Sequence, residues 1–383
     1  MSWQHIIQEI KQIYSTAYTP LHEPTFNEVE VNYVKDCVTS GWVSSVGKYV
    51  TRFEQDLADY VGVRRAVAVV NGTAALHVAL KIVGVRANDE VLMPALTFIA
   101  TANAVSYLQA IPHFIDVEFE TLGVDAKKLD DYLSEISVKQ DGLCINKETN
   151  RIIRAVVPMH TFGHAVNLEA LQQVCDKYNI TMVEDAAESL GTMYKGKMTG
   201  SFGEASALSF NGNKIITTGG GGAILTNDEA LADYAKHITT TAKIPHAWEY
   251  EHDEVAYNYR MPNINAALGC AQLEKMPDFL ARKRALTAKY QKIFATISGV
   301  KLFTEPTHST SNYWLQTILL DTTVYKRDEV LQLLNDCGVM SLPIWKPMHK
   351  LNPYCNHPKM DLSVTEQLND CVINIPSSPM EVR

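Results

Sequence analysis

Val67-Ala68-Val69-Val70-Asn71-Gly72-Thr73-Ala74-Ala75-Leu76 runs from an unbroken apolar segment into a helix-favouring one through a two-residue turn. A strand covered on both faces reads as continuous Val and Ala rather than as an alternation. After the turn, Gly72 permits a tight bend, Thr73 is placed to cap, and Ala74, Ala75, Leu76 and Ala79 favour a helix over 73–83. The same succession recurs outward. Strands are expected at 66–70, 90–93, 113–116, 152–159, 181–184, 205–210 and 223–226, with helices at 101–109, 167–178 and 228–239. Such alternation implies right-handed crossovers and a largely parallel α/β sheet over about 61–240.

The pattern changes afterwards. Residues 241–254 are polar, carry aromatics and His246 and His252, and read as a long surface loop. A helical stretch follows at 264–297 with a break at Pro277, then a strand at 313–320 and a helix at 326–336. We therefore expect a large α/β domain over 1–252, with an N-terminal helical extension over 1–20, and a smaller C-terminal α/β domain over 253–383. In the extension, Trp3, Ile6, Ile7, Ile10 and Tyr14 fall at helical spacing among Gln, Glu and Lys, which suits packing on the protein.

The 383 residues are 46% hydrophobic and carry a net charge of −9, so nucleic-acid binding by bulk electrostatics is not expected. No apolar run reaches bilayer length, and the N-terminus lacks signal-peptide anatomy. The seven cysteines are scattered without a CxxC pair, so reduced cytoplasmic thiols are expected rather than disulfides or a zinc knuckle. His160 and His164 are spaced i, i+4, but no Cys or carboxylate joins them at ligand spacing, and no metal is expected.

Ligands of open parallel sheets bind at the carboxyl ends of strands. Four such ends carry suggestive residues. Gly72 and Thr73 open a helix whose free N–H groups suit a phosphate, although an ordinary strand-to-helix turn has the same look. Phe98, after the second strand, offers a ring for stacking, or is core. In Val183-Glu184-Asp185-Ala186-Ala187-Glu188, Asp185 is placed to pair with a cationic ring nitrogen, or to cap a turn. Lys214, in Ser209-Phe210-Asn211-Gly212-Asn213-Lys214, precedes four glycines, Gly219 to Gly222, which suggest a close approach of backbone to something bulky or a sharp bend. A partly desolvated lysine there is a nucleophile. Cradle, plate, carboxylate and amine in that chain order are the set that pyridoxal 5′-phosphate requires.

With Ser40-Gly41-Trp42-Val43-Ser44-Ser45, Tyr257-Asn258-Tyr259-Arg260-Met261 and Asn265-Ala266-Ala267-Leu268-Gly269, these motifs run nearly end to end. The chain resembles the nucleotide-sugar aminotransferases of the DegT/DnrJ/StrS group, which have the fold-type I aminotransferase fold. The resemblance implies that Lys214 bonds to pyridoxal 5′-phosphate and moves the proton, that Asp185 partners the ring nitrogen and that Phe98 stacks. It places Gly72, Thr73 and Ser209 at the phosphate. The segment from Asn258 to Arg260 is implied to reach a partner subunit's cofactor, hence a homodimer with shared sites.

Glu188 stands where many relatives have Gln or His, near the expected phenolate oxygen; a raised carboxyl pKa or a contact with substrate is expected. Gly220 stands where Glu is common. Segments 159–164 and 239–246 look most like the aminotransferases of bacillosamine and legionaminic acid pathways. That likeness implies transfer from L-glutamate to C4 of UDP-4-keto-6-deoxy-N-acetylglucosamine. Lys243, Arg260 and Lys346 are candidates for the diphosphate, and His160 for the pocket. Alternatives are a GDP-sugar 4-aminotransferase, a 3-keto-sugar enzyme of the same group, or a non-catalytic regulator of this fold.

Overall fold

A computed structural model describes residues 2–379. Seven strands form the large sheet: β1 (Arg65–Val69), β2 (Glu90–Pro94), β3 (Ile111–Ile115), β4 (Ile153–Val156), β5 (Thr181–Asp185), β6 (Ala205–Ser209) and β7 (Gly222–Thr226). Their order is β1-β7-β6-β5-β4-β2-β3. β2 to β6 pair in parallel, whereas β7 is antiparallel to both β1 and β6. The exception to a parallel sheet has a local cause. A parallel return needs a crossover of a dozen or more residues, usually a helix, and the chain between Ser209 and Gly222 forms neither helix nor strand.

Helices Gly72–Ile82, Ile99–Tyr107, Leu168–Tyr178 and Glu229–Thr239 lie where the apolar spacing put them. Four more were not expected: Glu28–Ser40, Lys48–Val61, Ala126–Ile136 and Ser363–Cys371. The first begins at a capping box formed by Asn27 and Glu30, a signal present in the sequence. The long helical stretch divides into Asn263–Glu274 and Met276–Phe294, with Pro277 in the first turn of the second. The break therefore falls just ahead of the proline, where its missing N–H removes no helical bond.

The C-terminal part carries a second sheet of β8 (Val300–Leu302), β9 (Gln316–Leu320), β10 (Leu342–Pro343) and β11 (Val372–Ile375), ordered β8-β9-β11-β10 and antiparallel throughout. The N-terminal helix, Trp3–Tyr14, packs here and not on the large sheet. Trp3 meets Tyr325 edge-on at 5.8 Å, Thr19 bonds Gly338 and Met340, and Ser377 donates to the Leu21 carbonyl at 2.6 Å. The 1–20 extension is thus spatially part of the C-terminal unit, a correction to its expected placement with 1–252. Crossover helices already cover the large sheet, so its apolar stripe finds its partner elsewhere.

The glycine run does bring backbones together. A Cβ on Gly222 would lie 2.5 Å from the backbone carbonyl of Asn71, and one on Gly72 would lie 2.8 Å from the Ser209 Cβ. The Asn71–Gly72 turn is therefore wedged between the end of β6 and the start of β7. Gly220, by contrast, faces open space. We expect Gly222→Ala to cost about 1–3 kcal/mol through overpacking, and Gly220→Ala to stay within about 0.5 kcal/mol of the parent. Urea denaturation of the two variants beside the parent checks this.

Candidate active site

A cavity of about 380 Å³ opens at the carboxyl ends of β1, β2, β5 and β6 and is closed by Trp314 and Trp345 from the C-terminal unit. Gly72, Thr73, Phe98, Asp185, Glu188, Ser209 and Lys214 all line it. Seven residues scattered over some 140 positions meet because every one of them follows or ends a strand of one sheet.

Helix Gly72–Ile82 points its N-terminus here. The cap is Asn71 and not Thr73: Asn71 Oδ1 accepts from the Ala74 amide at 2.7 Å. This leaves Thr73 on the cavity wall. The amides of Gly72 and Thr73 have no preceding helical carbonyl to bond, which makes the turn an anion cradle. Gly72 without a side chain is also what lets Ser209 stand beside it.

β5 delivers two carboxylates to opposite faces, as strand alternation requires. Glu184 turns away from the cavity. It accepts from Ser206 and from the amides of Gly200, Phe202 and Gly203, and lies 3.0 Å from His160 Nε2. His160 is therefore a buried partner of Glu184 and does not border the cavity, contrary to expectation. Asp185 turns inward, 2% exposed, accepting from Thr101 Oγ1 at 2.7 Å and from the Ala187 amide at 3.2 Å. Burial pushes its carboxyl up, against those two bonds and the Lys214 charge. A buried carboxylate held this way gains from a cationic partner.

Lys214 leaves β6 by a turn whose amide bonds Asn211 O at 3.0 Å, and its side chain is mostly buried. Nζ lies 3.1 Å from Glu188 Oε1 and 3.9 Å from the centre of the Trp314 ring. The other Glu188 oxygen accepts from the Phe162 amide at 2.9 Å. Phe162 has φ 55° and ψ 19°, a left-handed backbone that costs a non-glycine residue about 1–2 kcal/mol, and this conformation presents its N–H to Glu188. Burial raises the Glu188 carboxyl to about 7, against the Lys214 charge and the Phe162 amide, with Asp185 adding to the rise. The upward direction is the one expected, and burial is its main cause.

Phe98 is half exposed at the mouth, its ring 6.5 Å from that of Trp345. Trp345 in turn packs against Phe162, ring centres 4.9 Å apart and tilted by 37°. Trp314, Trp345, Phe162 and Thr101 were not picked out from sequence. Thr101 and Phe162 follow strand ends as the predicted residues do, but neither carries a chemistry-bearing signal of its own, and Trp314 and Trp345 come from the distant C-terminal unit. Besides His160, four expected residues lie away from this cavity: Asn258, Arg260, Lys243 and Lys346. Asn258 is exposed and accepts from Arg260 Nε at 3.1 Å, and Lys243 sits 4.0 Å over the Tyr250 ring in the surface loop. Lys346 is exposed, next in sequence to Trp345.

This fold and this strand-end constellation define a fold-type I pyridoxal-phosphate transferase. The chain belongs to the DegT/DnrJ/EryC1/StrS aminotransferase family, whose pattern matches residues 24–381. It is 37% identical over 329 residues to the putative pyridoxal phosphate-dependent aminotransferase EpsN of Bacillus subtilis (strain 168), covering 86% of this chain and 82% of that one. It is 36% identical to a GDP-perosamine synthase of Escherichia coli O157:H7, covering 94% of each. Among solved structures, the aminotransferase TlmJ from Streptoalloteichus hindustanus superposes with a TM-score of 0.84 at 26% identity, over 94% of this chain and 93% of that one. The protein is a sugar aminotransferase that uses pyridoxal 5′-phosphate. The residues fit the cofactor: an anion cradle without a Cβ at Gly72, a buried carboxylate lacking a cation at Asp185, and an amine at Lys214 open to the same cavity.

The Glu188 carboxyl gives a pH test. Its folded pKa of about 7 lies above the ordinary 4.5, so between those values the folded protein holds a proton that the unfolded chain has lost. Stability of the cofactor-free protein should fall as pH rises across that window and level off above it. Glu188→Gln should remove on the order of 2–3 kcal/mol of this decline. Denaturant titrations at several pH values measure it; an unchanged slope in the variant would contradict the assignment.

Proposed function

We propose that the protein moves an amino group from L-glutamate to C4 of a nucleotide-linked 4-keto-6-deoxy sugar, working as a cytoplasmic homodimer. The observation that carries this reading is the meeting of Lys214, Asp185 and Glu188 with the Gly72–Thr73 cradle in one cavity. When bound, the cofactor supplies an aldehyde that takes up amines and an electron-accepting ring that makes the donor's α-proton acidic. The chain does the rest. The Gly72 and Thr73 amides, with Ser209, would hold the phosphate. Asp185 would face the ring nitrogen, and Phe98 would stack on the ring. Lys214 would take a proton at Nζ as base and return it as acid. Glu188, its carboxyl raised by burial, would tolerate a neighbouring anionic oxygen better than an ordinary carboxylate. Trp314 and Trp345 wall the cavity. Asn258 and Arg260 flank the packed Tyr259, bond each other near the surface, and would reach the cavity of a second subunit.

For the nucleotide, GDP has the stronger support. Three relatives at 35–36% identity, spanning more than nine-tenths of each chain, are named GDP-perosamine synthases. The UDP-linked N-acetyl sugar of the bacillosamine and legionaminic acid pathways rests on segments 159–164 and 239–246. Of the first of these, Met159 lines the cavity, while His160 lies behind the sheet. Lys243, Arg260 and Lys346 remain candidates for the diphosphate across the dimer.

Turnover assays with glutamate and GDP- or UDP-linked 4-keto-6-deoxy sugars separate the readings. We expect the GDP substrate to be preferred and Lys214→Ala to lose at least about 10³-fold in kcat, the scale of a removed acid–base and nucleophilic group. Turnover of the UDP substrate alone would move the assignment to the second reading, and full activity of Lys214→Ala would overturn both.

A further inference from the structure

Lys283, on helix Met276–Phe294, is a fully buried lysine that the mechanism does not use. Its Nζ donates to the carbonyl of Trp314 at 2.8 Å and to that of Ser377, and no carboxylate pairs with it among the described residues. Burial holds its ammonium well below the usual range, and its N–H groups are spent on the two carbonyls. Placing such a group in a core costs stability unless its bonds are made. What those bonds hold is Trp314.

Trp314 is gripped on both sides and grips in turn. Its amide donates to Asn312 Oδ1 at 2.8 Å and its carbonyl accepts from Lys283. Its indole N–H donates to the Asn213 carbonyl at 2.7 Å, while its ring face lies 3.9 Å from Lys214 Nζ. The tryptophan thus holds the peptide just before Lys214 and the amine of Lys214 together. We propose that Lys283 is a positioning residue for Lys214, acting through Trp314, which it holds so that the indole orients the amine towards the cavity. This rests on the reading of Lys214 as the amine that captures the cofactor.

The physical consequence is measurable. The amine of Lys214 is held between the indole face and Glu188 Oε1, 3.1 Å away, and the peptide before it is held by the indole N–H. Loss of the indole therefore loosens the amine's orientation towards the cavity and slows its reaction with an aldehyde there.

The experiment follows capture of pyridoxal 5′-phosphate by the cofactor-free protein across pH 6–10, by near-visible absorbance in stopped flow, with borohydride reduction and peptide mapping to fix the attachment point. Trp314→Leu should slow capture by about 2–30-fold at every pH. Lys283→Met should slow it in the same way, Lys283→Gln, which keeps an N–H donor, should return towards the parent rate, and the double variant should match Trp314→Leu alone. A folded Lys283→Met with the parental rate overturns the proposal, as does additivity in the double variant. Should Lys283→Met fail to fold, a parental rate in Trp314→Leu overturns it equally. If the parent itself captures nothing at Lys214, the reading of the site has failed, which is a different result from capture that the variants leave unmoved.

Discussion

One amine and two carboxylates, all three mostly buried, share the floor of one cavity, and the groups around them are arranged to tolerate that. Lys214 and Glu188 touch at 3.1 Å, Asp185 lies in the same wall, and all three are nearly shielded from solvent. Charges removed from water cost several kcal/mol each unless they are paired and hydrogen-bonded. Here the cost is met by the amides of Phe162 and Ala187, the hydroxyl of Thr101 and the face of Trp314. The arrangement leaves Asp185 without a salt-bridge partner, the place that a protonated ring nitrogen would take in the proposed function.

The topology makes this cluster possible. β5 ends in Glu184-Asp185, and alternation sends one carboxylate behind the sheet, where His160 and three loop amides fix the strand's far face. The other goes to the cavity. β7 then returns antiparallel against β1, and its first residue, Gly222, lets the Asn71–Gly72 turn settle against β6. The phosphate cradle and the lysine are thereby brought to one edge. The second sheet contributes the walls, and the N-terminal segment is tied to it by the Leu21–Ser377 bond close to Lys283.

The large sheet was legible because its strands are buried on both faces and read as apolar runs of the right length. All seven strand candidates became strands of the sheet, and the residues that follow them came together since strand ends share an edge by geometry. The antiparallel β7 was not legible from periodicity, which carries no direction. His160 was misplaced because a residue after a strand can turn to either side, and only the partner, Glu184, settles which. Thr73 lost the cap to Asn71, two polar residues within one turn competing for the same amide. Trp314 and Trp345 reach the site through tertiary packing of a separate sheet, a relation that no local pattern encodes.

The account stands on the amine of residue 214 being the one group in this chain that joins covalently to pyridoxal 5′-phosphate. Borohydride reduction of the loaded protein, followed by proteolysis and mass mapping, tests that directly. The account requires a single phosphopyridoxyl adduct on the peptide containing Lys214; an adduct on another lysine, or a protein that emerges unlabelled, would contradict it.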